Sequence, residues 1–289
     1  MAKLILRFDT ESAMVFTGYS DENREELVSE ACAAVTQICK VLKKHEAPAT
    51  FFIVGILLER AGERLASVLR DTPLVDLQSH TYSHMYTRSE DDAVVDQFRQ
   101  ELRKTSDLLD SFFGKRPLGV CCPGNFYKGL QGVKKPLQML RDEGYLFVGS
   151  DGSGPPEQRM PAPFTQPYWY AEDGFPDLLE LPLNGWHCNM LFNTGGQNDN
   201  WQPAPGWPDG TILEKLPETV EEGFQARAKE LQHAIDNDLI YTPSLHPWSI
   251  YRFDPELEHL DRLIEMAKAN DVQVLNAIQL YDEYKSHHA

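Results

Sequence analysis

The chain has 289 residues, 42% of them hydrophobic, enough for one large α/β domain or two small ones. Its 27 basic and 44 acidic side chains give a formal charge of −17, a surface that repels phosphate backbones and anionic lipid and argues against nucleic-acid and membrane partners. The five irregularly spaced cysteines do not read as a disulfide framework, no apolar run is long enough to span a bilayer, and the opening Met-Ala-Lys lacks a signal peptide, so reduced thiols and a cytoplasmic location are expected.

In chain order, Leu4-Ile5-Leu6-Arg7-Phe8 is a first strand that ends in Asp9-Thr10-Glu11, and loop follows through Asp21. Leu27, Ala31, Ala34, Val35, Ile38, Val41 and Leu42 recur at helical spacing over 23–45, until Pro48 stops the helix. Strand 50–54, helix 56–70 and strand 74–77 lead into Ser79-His80-Thr81-Tyr82-Ser83-His84. Ser89 reads as the N-cap of an acidic helix start, and Gly114 ends that helix. Strand 118–122 precedes Pro123-Gly124, and helix 134–143 leads to strand 145–148.

Residues 151–210 break the alternation with a loop-rich insertion containing one strand, over 178–182. Its aromatics, Tyr168, Trp169, Tyr170, Trp186, Trp201 and Trp207, argue against disorder. They suit a platform for sugar rings, a lid or a subunit interface. Lid or interface is the better reading, since exposed aromatics need covering, and it makes a homo-oligomer plausible. Helix 217–237, a strand from 239 ending near His246, helix 255–269, strand 272–275 and a helix from 278 complete the chain.

Alternating strands and helices make a parallel sheet covered by helices. About seven units in one domain over 1–289 suit a barrel better than an open sheet. Active sites of such barrels lie at the C-terminal strand ends, where Asp9, Glu11, His80, His84, Gly124 and His246 all fall. Two histidines four apart can turn both rings to one point, with a third ligand from the first strand, or they can decorate a loop. A site of two imidazoles and one carboxylate keeps positions open for water and substrate. Asp9 and Glu11 can divide the roles of ligand and base, or simply begin the loop.

At this point the motifs resemble the polysaccharide deacetylase family (NodB homology, carbohydrate esterase family 4). His80-Thr81-Tyr82-Ser83-His84 matches its His-Ser/Thr-x-x-His motif. Arg7-Phe8-Asp9-Thr10-Glu11 resembles its Thr-Phe-Asp-Asp motif with the second acid displaced by one, as in the branch holding peptidoglycan deacetylases and allantoinase-like proteins. Cys121-Cys122-Pro123-Gly124 keeps the proline of its Arg-x-Pro motif and lacks the arginine, so the usual support for the base is missing. Ser244-Leu245-His246 stands for Leu-x-His.

The resemblance implies a deformed (β/α) barrel that hydrolyses N- or O-acetyl groups, or another non-peptide C–N amide bond, in a small-molecule or carbohydrate substrate. It implies a divalent metal, zinc first with Co, Ni or Fe also suitable, on Glu11, His80 and His84. Asp9 would be the base, His246 the acid, Gly124 N–H the oxyanion donor, and Asp151 a group that tunes His246. The departures at Thr10, Cys121 and Ser244 leave a second reading, a barrel without catalysis that binds a glycan or a protein. A metal-independent hydrolase is a third. His187 is read as a surface or core histidine, His259 as solvated, and His45 as a helix-end cation.

Overall fold

The computed structural model describes residues 1–13, 24–155, 160–195, 213 and 215–288. Its elements run β1 (Lys3–Ile5), β2 (Arg7–Thr10), α1 (Arg24–His45), β3 (Ala49–Ile53), α2 (Gly55–Leu69), β4 (Val75–Ser79), α3 (Asp92–Phe113), β5 (Gly119–Phe126), α4 (Lys134–Asp142) and β6 (Phe147–Asp151). They continue with β7 (Tyr168–Tyr170), β8 (Phe175–Glu180), β9 (Asn184–His187), α5 (Cys188–Leu191), α6 (Val220–Asp236), β10 (Ile240–Tyr241), β11 (Pro243–Ser244), α7 (Pro247–Phe253), α8 (Glu258–Ala269), β12 (Gln273–Leu275) and α9 (Ala277–His288).

Seven strands form one sheet in the order β2-β3-β4-β5-β6-β8-β7, parallel except for the β7–β8 pair. The first strand breaks at Leu6. Below the break β1 lies between β10 and β12, and above it β2 pairs with β3. β9 and β11 form a third, two-stranded sheet. Single backbone bonds join these sheets: Asp9 N–H to Leu245 O (2.9 Å), Asn184 N–H to Thr242 O (2.8 Å) and Leu183 N–H to Asp151 O (2.7 Å). The result is consistent with a deformed barrel, without a continuous closed ladder among the described residues.

Strand alternation sorts the side chains into two layers. Leu4, Leu6, Phe8, Phe51 and Ile53 pack outward against the helices. Ile5, Phe52, Cys121, Phe147, Leu179, Leu181 and Leu275 form an inner cluster, with Ala277, Leu280 and Tyr281 of α9 packed against it. Arg7 and Asp9 continue the face of Ile5, which carries charge into the buried interior.

Helix ends follow local chemistry. α1 carries Glu25 and Glu26 in its first turn and Lys43, Lys44 and His45 in its last, matching the helix dipole. Asp91, rather than Ser89, caps α3 by accepting the Ala93 N–H (2.8 Å), while Ser89 Oγ accepts the Asp91 N–H (3.1 Å) one turn earlier. Gly114 closes α3 with φ of 66°, as expected.

The described part of the insertion is more ordered than its composition suggests. β7, β8, β9 and α5 all lie within it, and its strand begins at Phe175 rather than 178. Tyr170 and Trp186 are buried, and Trp169 packs on Tyr281 of α9 (6.1 Å between centroids), so these rings serve the core instead of a lid or platform. Trp201 and Trp207 lie outside the described residues. His259 is buried against Asp254 (2.7 Å) rather than solvated, and His45 is buried against Asp261 (2.8 Å).

Candidate metal centre and active site

β4 delivers His80 to the barrel rim, where its backbone N–H bonds Ile53 O (3.0 Å). The chain then coils: Thr81 and His84 take φ of 59° and 64°, and Thr81 Oγ1 accepts the His84 N–H (3.1 Å). Glu101 of α3 fastens this loop by accepting the Tyr82 and Ser83 N–H groups (3.1 and 3.0 Å) and the Ser83 hydroxyl. Both rings thereby face Glu11, which is fully buried. His84 Nε2 lies 3.0 Å and His80 Nε2 3.7 Å from Glu11 Oε2.

This donor set fits a divalent ion. Its three ligand atoms lie within 4.8 Å of one another. His80 Nδ1 bonds Cys121 O (2.8 Å), so Nδ1 donates and Nε2 offers a lone pair. His80 Nε2 is buried without a hydrogen-bond partner and Glu11 Oε2 has only the His84 ring within reach, a costly state for polar atoms that an ion among them would relieve. Burial lowers His80 to about 4, so the ring is neutral and ready to ligate. Burial pushes Glu11 up, but His84, His246 and His80 outweigh it and hold the carboxyl at about 2.

Asp9 lies beside this cluster, with a carboxylate oxygen within 4.8 Å of His80 and the Cys121 thiol. Arg7, on the same face of β2, places Nη2 3.3 Å from Asp9 Oδ1. Its Nη1 donates to Leu181 O (3.2 Å), and the guanidinium covers the Phe52 ring at 4.5 Å. Gly149 of β6 makes room, since a Cβ there would overlap Arg7 Nη1. Against its burial, Arg7 first and then His80 and His246 hold Asp9 well below the usual carboxylate range.

His246 follows β11 and is buried beside the other carboxylate oxygen of Glu11, its Nε2 3.7 Å from Oε1. Trp248 Nε1 donates to the same oxygen (3.5 Å). The neighbour of His246 Nδ1 is Cys188 Sγ (3.3 Å), not Asp151. Asp151 instead accepts the Lys128 N–H (3.2 Å) and the Tyr168 hydroxyl (3.4 Å), and burial with Glu180 nearby raises it to about 7. His246 is raised to about 9, since Cys188, Glu11 and Asp9 outweigh its burial. Gly124, on the irregular section of β5, is exposed with φ of 103°.

Arg7, Cys188 and Trp248 are the site residues that the motifs do not indicate. The signal for Arg7 is a lone cation two residues before Asp9 in an apolar strand, hence on its face. Cys188 and Trp248 carry no such signal, because only tertiary pairing brings them to the site.

Residues 28–135 match the family model described as polysaccharide deacetylase. No curated protein matches the sequence. Among solved structures, the chain is similar to a Mycobacterium smegmatis protein named as a polysaccharide deacetylase, with 20% identity and a TM-score of 0.71 over 99% of this chain and 91% of that one. A Pseudomonas aeruginosa PAO1 protein of the same description gives 18%, 0.67, 99% and 91%. The allantoinase Puue gives 19%, 0.66, 99% and 90%. At these identities the likeness is one of fold. Among the described residues no helix is long and apolar enough to cross a membrane.

Proposed function

We propose that this chain, which resembles the polysaccharide deacetylases in its match over residues 28–135 and in its fold, is a metal-dependent hydrolase of a non-peptide C–N amide bond. The family match favours an acetylated amino sugar as substrate, and the likeness to an allantoinase keeps small cyclic amides beside it. The observation that carries the reading is the convergence of Glu11, His80 and His84, with His80 Nε2 buried and left unpartnered.

A divalent ion held by these three, zinc first with Co, Ni or Fe also suitable, would activate water and polarise the carbonyl. Asp9 stays ionised beside Arg7 and accepts the proton of the attacking water. The Gly124 N–H donates to the oxygen that gains charge. His246, beside Glu11 Oε1, donates a proton to the departing nitrogen. Two departures from the family pattern are met from nearby: Glu11 supplies the acid absent at Thr10, and Arg7 the guanidinium absent at Cys121. This weakens the case for a barrel without catalysis.

Elemental analysis of the purified chain and of His80→Ala/His84→Ala tests the reading. The double variant is expected to bind about one equivalent less transition metal. Asp9→Asn is expected to keep metal and fold while turnover of the responsive amide falls by about 10²–10⁴-fold. A wild type that takes up no metal on reconstitution, or an Asp9→Asn variant with full turnover, would sink it.

A further inference from the structure

A second group of ligand-bearing side chains converges beside the first, and the proposed hydrolysis uses only one of its members. His187 ends β9, Cys188 opens α5, and His246 follows β11. β9 and β11 lie side by side with Ser244 opposite His187, so strand register brings the three together. One ligand atom from each lies within 4.8 Å of the others. Cys188 is fully buried, and its Sγ lies 3.3 Å from His246 Nδ1. That separation suits two ligands of one tetrahedral ion, about 2.3 Å from sulfur and about 2.0 Å from nitrogen. The His187 and His246 rings lie 4.5 Å apart at 39°, and His187 Nδ1 is buried without a hydrogen-bond partner. The nearby cation Arg227 is compensated by Glu230 (2.9 Å) and by the Trp186 and Ser244 carbonyls (2.7 and 3.2 Å).

We propose that His187, Cys188 and His246 form a second metal site, suited to a thiophilic divalent ion such as Zn²⁺. One thiolate and two imidazoles are softer donors than the carboxylate and two imidazoles next door, so the two sites differ in preference. They share His246, whose Nδ1 faces Cys188 while Nε2 lies 3.7 Å from Glu11 Oε1. An ion on Nδ1 fixes the ring with Nε2 toward the first cluster. The site stands independently of the hydrolase reading, and its test needs no substrate.

Co²⁺ added to the metal-free, full-length chain reports both sites. Two equivalents are expected, with a thiolate-to-cobalt charge-transfer band in the near ultraviolet. Cys188→Ser should remove the band and one equivalent. His80→Ala/His84→Ala should remove the other equivalent and leave the band. His187→Gln keeps the thiol and serves if Cys188→Ser does not fold. It should weaken the band-forming cobalt by about tenfold or more, since even outer-shell losses cost that much. One equivalent without a band overturns the second site. So does a band that survives Cys188→Ser, which would place the cobalt at Cys121 in the Asp9–His80 group. Unchanged cobalt affinity in His187→Gln does the same, and the Cys188–His246 contact is then a hydrogen bond alone.

Discussion

At the scale of single residues, the site depends on charges held in a dry interior. Arg7 and Asp9 are both buried and in direct charge contact. Arg7→Met leaves the Asp9 carboxylate buried without that partner, and breaking such a pair costs about 3–5 kcal/mol of stability. It also removes the strongest influence holding Asp9 low, so the acidic limb of the pH–rate profile should move to higher pH. Arg7→Lys, which keeps the charge, should do less on both counts. Denaturant unfolding and a pH–rate series check this, and equal behaviour of the two variants would count against an electrostatic role. His80 gives a second pH effect, with a definite sign. Its folded value of about 4 lies below the ordinary 6.5, so between these values the unfolded chain holds the extra proton. The metal-free protein should therefore lose stability as pH falls from 6.5 toward 4, with no further loss from this ring below that. The slope of Tm against pH in that window should flatten in His80→Gln. Most of the candidate site was legible in the sequence, because His80, His84, Asp9, Glu11 and His246 sit in motifs. Arg7 is marked only by its charge two residues before Asp9 in an apolar strand, and Cys188 by nothing, because its partner His246 lies far away in sequence and a lone cysteine looks like an ordinary core residue.

At the scale of elements, the histidine loop is held by α3 as much as by its own strand. Glu101 accepts from two backbone N–H groups and one hydroxyl of that loop. Glu101→Ala removes every one of these acceptors while leaving Glu11, His80 and His84 intact. Outer-shell losses of this kind cost about 10–100-fold in metal affinity. A chelator competition should find that weakening in Glu101→Ala, and unchanged affinity would mean that the ligands are fixed without α3. The helices and central strands of the fold were readable because apolar spacing of 3.6 or continuous buried runs mark them, as in α1 and the fully buried β3. The short pieces were not. The break at Leu6 comes from a strand that changes partners halfway, and Leu6 itself is an unremarkable apolar residue. β7, β9 and β11 have two to four residues each, and α7 only seven, too short for any period to declare itself. Their pairing follows from neighbours far away in sequence, as in the Asn184–Thr242 bond.

At the scale of the whole molecule, the −17 formal charge and the buried site set how a substrate arrives. Within that total the candidate centre holds Asp9 and Glu11, offset by Arg7 and, once loaded, by a divalent ion. Far from the rim, an incoming molecule meets the net negative surface, and only at close range the cation. An anionic substrate should thus be slowed at low salt, while a neutral acetylated amino sugar should not. The Debye length shrinks from about 30 Å at 0.01 M to about 8 Å at 0.15 M, so added salt screens the distant surface before it touches the contacts inside the site. The expected outcome is a kcat/KM for a carboxylated substrate that rises with salt over this range, beside a nearly constant value for its neutral counterpart. The comparison is made at fixed metal occupancy, so that weakened metal binding does not imitate the effect. Equal salt dependence of the two would show that the metal centre alone governs approach, and that the acidic surface serves solubility.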